Sequence, residues 1–377
     1  MEEVLRFLHK TGLFNITWQQ GVMLLVGVGF IYLAIRKKME PYELLPIGIG
    51  IILGNLPLTR LMNYSTEIQN SGILGVIFHF GLYFHNILPP LVFLCLGAMT
   101  DFGPLIANPR VLLLGAAAQV GIYATFWGAL LLGFDIREAA SIGIIGGADG
   151  PTTIFTSAQL APHILGITAV AAYTYMALVP LIQPPIMRLL TTRRERSIVM
   201  KQLRPVSQTE KIVFPVLACV VIIILVPLSA PLIGMFMVGN LLRESGVVPN
   251  LVKVAQNELM SIVTIFLMLC LGAWMSAENV MHWRTLLILG LGLVAFACGT
   301  AGGIIFAKIM NLFSKSKVNP LIGSAGVSAV PMAARISQIM GQKENPRNFL
   351  LMHAMGPNVA GVIGSAVAAG IFLSLLK

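Results

Sequence analysis

The sequence predicts an all-α polytopic membrane protein built from two inverted-topology repeats, each with a re-entrant or discontinuous hairpin meeting its counterpart near the membrane midplane. Three observations predict it. Hydrophobic residues make up 56% of the 377 positions and charged residues only 11%, against roughly a quarter charged in soluble domains. Apolar runs at 213–228 and 286–307 are long enough to cross a bilayer. The halves also echo each other. LCLGA at 94–98 returns at 269–273, and a Gly-Asn pair closes both 46–55 and 231–240. IGIIGGADGPTTIFTS at 142–157 aligns with IGSAGVSAVPMAARIS at 322–337, with five of sixteen positions shared. Offsets of 175, 185 and 180 residues suit duplicated halves, the signature of many secondary transporter folds.

Taken in order, residues 1–20 lack a clean apolar core before a small-residue cleavage site, so they are expected to be an N-terminal interfacial segment. The first repeat covers 21–188. Its first span, 22–35, is slightly short, and Arg36, Lys37 and Lys38 place its end in the cytoplasm. From there 42–58 runs outward, 86–99 inward and 111–133 outward. If 139–158 then crossed fully, the basic linker at 189–211 would lie outside. That linker holds Arg193, Arg194, Arg196, Lys201 and Arg204 and belongs inside. A hairpin entered from outside solves the conflict, because 164–187 then returns inward.

The second repeat, 212–377, reads as the mirror image. Segments 213–228, 231–242, 259–275 and 286–307 alternate outward and inward. Lys308, Lys315 and Lys317 then lie inside, 318–340 is a hairpin entered from inside, and 349–376 runs outward. The stretch 231–242 is short for a span, and a miscount there would reverse everything after it.

Composition excludes several functions. The net charge of +10 sits in loops, where it reports orientation rather than nucleic-acid binding. The four cysteines (Cys95, Cys219, Cys270, Cys298) lie in apolar segments without a Cys-x-x-Cys pair and read as small hydrophobes. Six histidines lack metal spacing, and no Walker A pattern supports ATP hydrolysis.

The candidate functional residues cluster in the hairpins. Asp149 is the only fully charged residue between Glu138 and Arg188. A carboxylate at membrane depth costs about 3 kcal/mol by insertion scales, so it faces an ion path or the protein interior. Gly-Gly-Ala-Asp-Gly-Pro cannot continue a regular helix, so backbone carbonyls come free beside the acid. The ordinary alternative is an Asx-turn. Arg335 is the only charge in 318–340. It either snorkels to the interface or binds an anion through its planar fork. Neutral oxygen donors that suit a hard cation follow: Asn319, Ser324, Ser328 and Asn358. Asn-Pro and Pro-Asn pairs are equally ordinary helix ends. Tyr175 sits mid-span, as a belt aromatic or as a hydrogen-bond donor or proton carrier. Asn55 and Asn240 hold matched repeat positions, which helix capping explains as well.

With GIIGGADGPTTIFTS around Asp149, NPLIGSAGVSAVPMAARIS at 319–337 and GPNVAG at 356–361, the chain resembles the β subunit of the sodium-translocating, biotin-dependent decarboxylases that act on oxaloacetate, methylmalonyl-CoA or glutaconyl-CoA. The resemblance covers nearly the whole chain. It implies a bacterial inner-membrane protein that decarboxylates carboxybiotin on a partner carrier protein and moves Na+ outward, one proton being consumed from outside. It implies as partners a carboxyltransferase α subunit, a biotin carrier or γ subunit, a small membrane subunit and further copies of this chain. The family's functional acid falls on Asp149 and its tyrosine on Tyr175. Its Asn, Gly, Ser and Arg fall on Asn319, Gly323, Ser328 and Arg335, and Asn358 matches a further polar position near the ion. On this reading Asp149, Asn319, Gly323, Ser328 and Asn358 surround sodium. Arg335, with Asn319, holds carboxybiotin; Tyr175 and Ser328 relay the proton; Gly146 and Gly323 let backbone approach closely. The alternative is a sodium-coupled or sodium–proton secondary transporter without decarboxylase activity.

Overall fold

The computed structural model describes residues 11–314 and 317–377, so the first half of the N-terminal segment and Lys315 lie outside the described residues. Every regular element among the described residues is helical. Helix α1 (Trp18–Arg36) begins at a capping box in which Thr17 and Gln20 each accept the other's backbone N–H, satisfying two otherwise orphan donors. Helix α2 (Pro41–Asn55) opens on proline, where a missing N–H costs nothing. Helices α3 (Ile73–Phe84) and α4 (Leu88–Met99) meet at 77°, and α5 runs over Pro109–Leu131. The stretch 73–84 is an element the sequence reading passed over, since twelve residues holding two glycines and a histidine are too few to cross alone.

The first discontinuous region follows. Helix α6 (Ile136–Ile144) starts at a box made by Asp135 and Glu138. After one 3-10 turn, Ile145–Gly147, Ala148 enters the left-handed region at φ 54°. Helix α7 (Gly150–Leu160) then restarts with Asp149 as its N-cap and Pro151 in its first turn. Helices α8 (Pro162–Ala177) and α9 (Val179–Leu190) bend by 65°. Pro180 lies just past the break, and a proline there lacks the N–H that would continue the ladder.

A short turn at Arg193–Arg196 leads to α10 (Gln208–Leu225), capped by Ser207 and Glu210. The short stretch near 231–242 is a full helix, α11 (Ala230–Ser245), ended by Gly246 at φ 69°, the usual left-handed stop. Helices α12 (Pro249–Trp274) and α13 (Trp283–Phe313) follow. The second discontinuous region is a 3-10 segment, Pro320–Gly326, an irregular turn and α14 (Met332–Glu344). Helix α15 (Leu351–Leu376) closes the chain.

Among the described residues, six helices are long and apolar enough to span a membrane, or up to eight if each bent pair counts as one span. They occupy different depths. Two-thirds (67%) of the apolar window of α15 is buried inside the protein, against 6% for α10, so α15 runs through the centre and α10 lies at the rim.

The packing is reciprocal. Helix α2 packs on α12, and α11 packs on α4. Asn55 at the end of α2 donates to the Met275 carbonyl at 2.8 Å and accepts the Ala277 N–H at 2.8 Å. Asn240 in α11 donates to the Thr100 carbonyl at 2.7 Å. Each asparagine thus ties down the end of the helix carrying LCLGA in the other half. The preceding residues, Gly54 and Gly239, lie against the Ala273 and Leu94 carbonyls, where a β-carbon would collide.

Candidate functional site

Asp149 is 4% exposed and its two oxygens have separate partners. Oδ1 accepts the Thr152 N–H at 3.0 Å, which caps α7. Oδ2 accepts the Ser365 hydroxyl at 2.6 Å, from mid-α15. The capping reading and the buried-acid reading are therefore both realised on one carboxylate. The N-terminal end of α7 favours its negative charge.

The two discontinuous regions touch. The Ser328 N–H donates to the Gly147 carbonyl at 2.9 Å, and the Ser328 hydroxyl donates to Ser365 at 3.1 Å. A chain of hydroxyls thus runs from the second region through α15 to the acid of the first. Asn358, two turns before Ser365, donates to the Ala325 and Val327 carbonyls at 2.9 and 2.7 Å. Its own carbonyl oxygen, and that of Gln119 in α5, are buried and without a hydrogen-bond partner. Gln119 Oε1 faces Gly147, and its amide donates to Gly361 at 3.3 Å. A carboxylate, two hydroxyls and two unpartnered carbonyl oxygens are the oxygen types that a hard cation takes.

The remaining predicted residues lie elsewhere. Asn319 is fully buried, but its amide donates to the Arg196 and Ile198 carbonyls at 2.9 and 2.8 Å, and its oxygen caps the 3-10 segment at Leu321. Asn348 holds the same two carbonyls at 3.1 Å. Arg196 pairs with Glu344 at 2.7 Å. Together these bind the basic linker onto the second region. Ser324 bonds Ser337 at 3.1 Å inside that region. Gly323 lies backbone to backbone against Gly303 of α13. The Tyr175 hydroxyl donates to the Leu289 carbonyl of α13 rather than toward Asp149. Arg335 is exposed on α14. Its charge bears on Glu40 at the start of α2, where burial pushes the carboxyl above its ordinary range and Arg335 opposes the rise.

At the other end of α6, Glu138 accepts from His163 at 2.7 Å and Arg284 at 3.5 Å. Burial pushes its carboxyl up, but the His163 bond, the Asp135 N–H and Arg284 together hold it below the ordinary value.

The sequence reading missed Ser365, Gln119 and Tyr173. Ser365 was findable: it stands seven residues after Asn358, on the same face of a mostly apolar helix. Single polar residues in long spans otherwise carry no local signal.

A multi-pass helical bundle that holds one buried acid where two broken helices meet has the build of a cation-translocating membrane protein. The chain belongs to the family described as the Na+-transporting oxaloacetate decarboxylase beta subunit, whose sequence model matches residues 19–376. It is 54% identical over 394 residues to methylmalonyl-CoA decarboxylase subunit beta of Propionigenium modestum, covering 100% of this chain and 99% of the relative. It is also 54% identical over 369 residues to glutaconyl-CoA decarboxylase subunit beta of Acidaminococcus fermentans, covering 98% and 96%. To the oxaloacetate decarboxylase beta chain of Klebsiella pneumoniae it is 49% identical over 428 residues, covering 99% of each. The chain is thus the multi-pass bacterial membrane subunit of a decarboxylase sodium pump, and not a plain secondary transporter.

Proposed function

We propose that this chain decarboxylates carboxybiotin presented by a partner carrier and couples the reaction to outward Na+ movement, with one proton taken from outside. The observation that carries the reading is the bond chain Ser328–Ser365–Asp149, because it joins the buried acid at the junction to both discontinuous regions. Asp149 can hold a sodium ion or a proton but gains little from both, since either neutralises it. Ser365 and Ser328 would supply hydroxyl oxygens to the ion, and Asn358 and Gln119 their unpartnered carbonyls.

Arg335 fits the carboxylate of carboxybiotin: it is exposed, it lies on the element entered from the linker side, and its fork matches a planar carboxylate. Carboxybiotin, when bound, supplies a nitrogen–carboxylate bond whose breakage releases carbon dioxide. Asn319 would keep the linker seated on the second region, Gly323 would keep that region against α13, and Tyr175 would brace α8 on α13. Reciprocal packing of α2 on α12 and α11 on α4 supports two inverted repeats whose hairpins are re-entrant. The names of the relatives, all beta subunits or chains, support a complex with a carboxyltransferase subunit, a biotin carrier or γ subunit and a small membrane subunit. Further copies of this chain belong to the same reading.

The test is Asp149→Asn in the reconstituted complex, with carboxybiotin decarboxylation and radioactive sodium uptake followed together. Loss of both by ~100-fold or more is expected, on the scale of a buried charge–ion contact worth about 3 kcal/mol. Sodium uptake at the normal rate would sink the assignment.

A further inference from the structure

The Tyr173 hydroxyl and one Glu43 carboxylate oxygen are buried without a hydrogen-bond partner and have no role so far. Leaving a buried polar group unpaired costs its lost hydration, and an ionisable group at membrane depth marks function by default. Geometry brings the two together. Tyr173 is 3% exposed. The end of its ring lies on Gly150, next to Asp149, so closely that a β-carbon there would meet ring atoms Cε1 and Cε2 at 2.7 and 2.6 Å.

Helix α2 packs along α8. Leu44 shares a core cluster with Ala177, and Ile47 shares one with Tyr173. Glu43 stands one helical turn before Ile47, on the same face of α2. The charges of Glu43 and Asp149 both bear on the Tyr173 hydroxyl, Glu40 bears on Glu43, and Arg335 on Glu40. Tyr173 thus packs against Gly150, beside Asp149, and shares a core cluster with Ile47 of the α2 face that carries Glu43.

We propose that Glu43 and Tyr173 form a staging site for the transported sodium ion, between Arg335 and Asp149. The inference rests on the sodium-pump reading above. Carboxylate and phenol oxygens without bound donors suit a hard cation. The nearby Arg335 gives the site a guard: its charge disfavours a cation at Glu40 and Glu43 until an anion occupies its guanidinium. Sodium then reaches Asp149 along a line of oxygens rather than across apolar surface.

The experiment uses the complete reconstituted complex, with decarboxylation measured against sodium concentration at several pH values for Glu43→Gln, Tyr173→Phe and Asp149→Asn. Glu43→Gln is expected to raise the sodium concentration for half-maximal rate by about tenfold, and Tyr173→Phe by about threefold. Each loses one oxygen contact to the ion, and saturating sodium restores the maximal rate. Tyr173→Phe removes an oxygen that nothing in the fold bonds, so it keeps the test available if Glu43→Gln does not assemble. Unchanged half-saturation in Tyr173→Phe overturns the proposal. So does a rate loss that sodium cannot restore and that moves with pH, which would make the pair a proton path instead. If Asp149→Asn turns over normally, the pump-site reading fails, independently of the staging site.

Discussion

The two discontinuous regions touch, yet they are made of opposite materials. The first places a carboxylate at the mouth of a new helix, with one oxygen on Thr152 and the other on Ser365. The second brings no acid to the junction: Ser328 contributes a hydroxyl, and Asn358 of α15 holds its carbonyls in place. The difference teaches why a symmetric frame carries asymmetric chemistry. Two acids facing each other would raise one another's proton affinity and compete for one ion. One acid facing neutral dipoles can be neutralised by a single sodium ion or a single proton. The regions also differ in how they are anchored. Charges clasp the first at its Glu138 end, while buried amides and one ion pair fasten the second to the linker.

The largest way to break this comparison is to push the second region away. Gly323→Ala places a methyl group against the Gly303 backbone, where neither chain can give. A loss of about 3 kcal/mol is expected from overpacking, read as a lower melting temperature and poor assembly of the purified complex. A normal melting curve would show that the close approach is dispensable. Next, Arg196→Ala leaves Glu344 unpaired and frees the Thr191 carbonyl. About 2 kcal/mol should be lost for this partly buried pair, together with faster proteolysis of the linker; unchanged linker protection would contradict the anchoring. Ser365→Ala should cost more in sodium affinity than Ser328→Ala, because Ser365 touches the acid and Ser328 acts through it; equal effects would erase the distinction.

The smallest effect belongs to the clasp of the first region. Glu138 is held below its ordinary value, so the stability it gives is present above the unfolded carboxylate value and fades as pH falls through the folded one. With His163 largely exposed, that contribution is about 0.5 kcal/mol. The melting temperatures of wild type and Glu138→Gln should therefore differ at neutral pH and converge in acid. A gap that widens in acid would reverse the sign.

Much of this comparison was legible beforehand. Asp149 announced itself because a lone acid in a glycine-broken apolar run has few structural excuses. The matched Gly-Asn and LCLGA pairs marked duplicated halves, but that these very segments pack on one another, α2 on α12 and α11 on α4, came from the structure alone. What stayed hidden is the identity of partners across space. Tyr173 and Tyr175 are two residues apart on one helix, and nothing local says that the first meets Gly150 while the second meets α13. Asn319 looked like an ion ligand because its chemistry fits one, but the linker carbonyls from Arg196 and Ile198 take its amide. The bends at 77° and 65° follow from tertiary packing around proline, which hydropathy averages away.

The most direct measurement is sodium activation of carboxybiotin decarboxylation in sealed vesicles, comparing Ser365→Ala with wild type. If Ser365 shares the ion with Asp149, half-saturation should rise about tenfold, the worth of one lost contact to a charged group, while the rate at saturating sodium stays within about twofold of wild type. An unchanged half-saturation would contradict the account, because the ion would then be held somewhere other than the junction of the two broken helices.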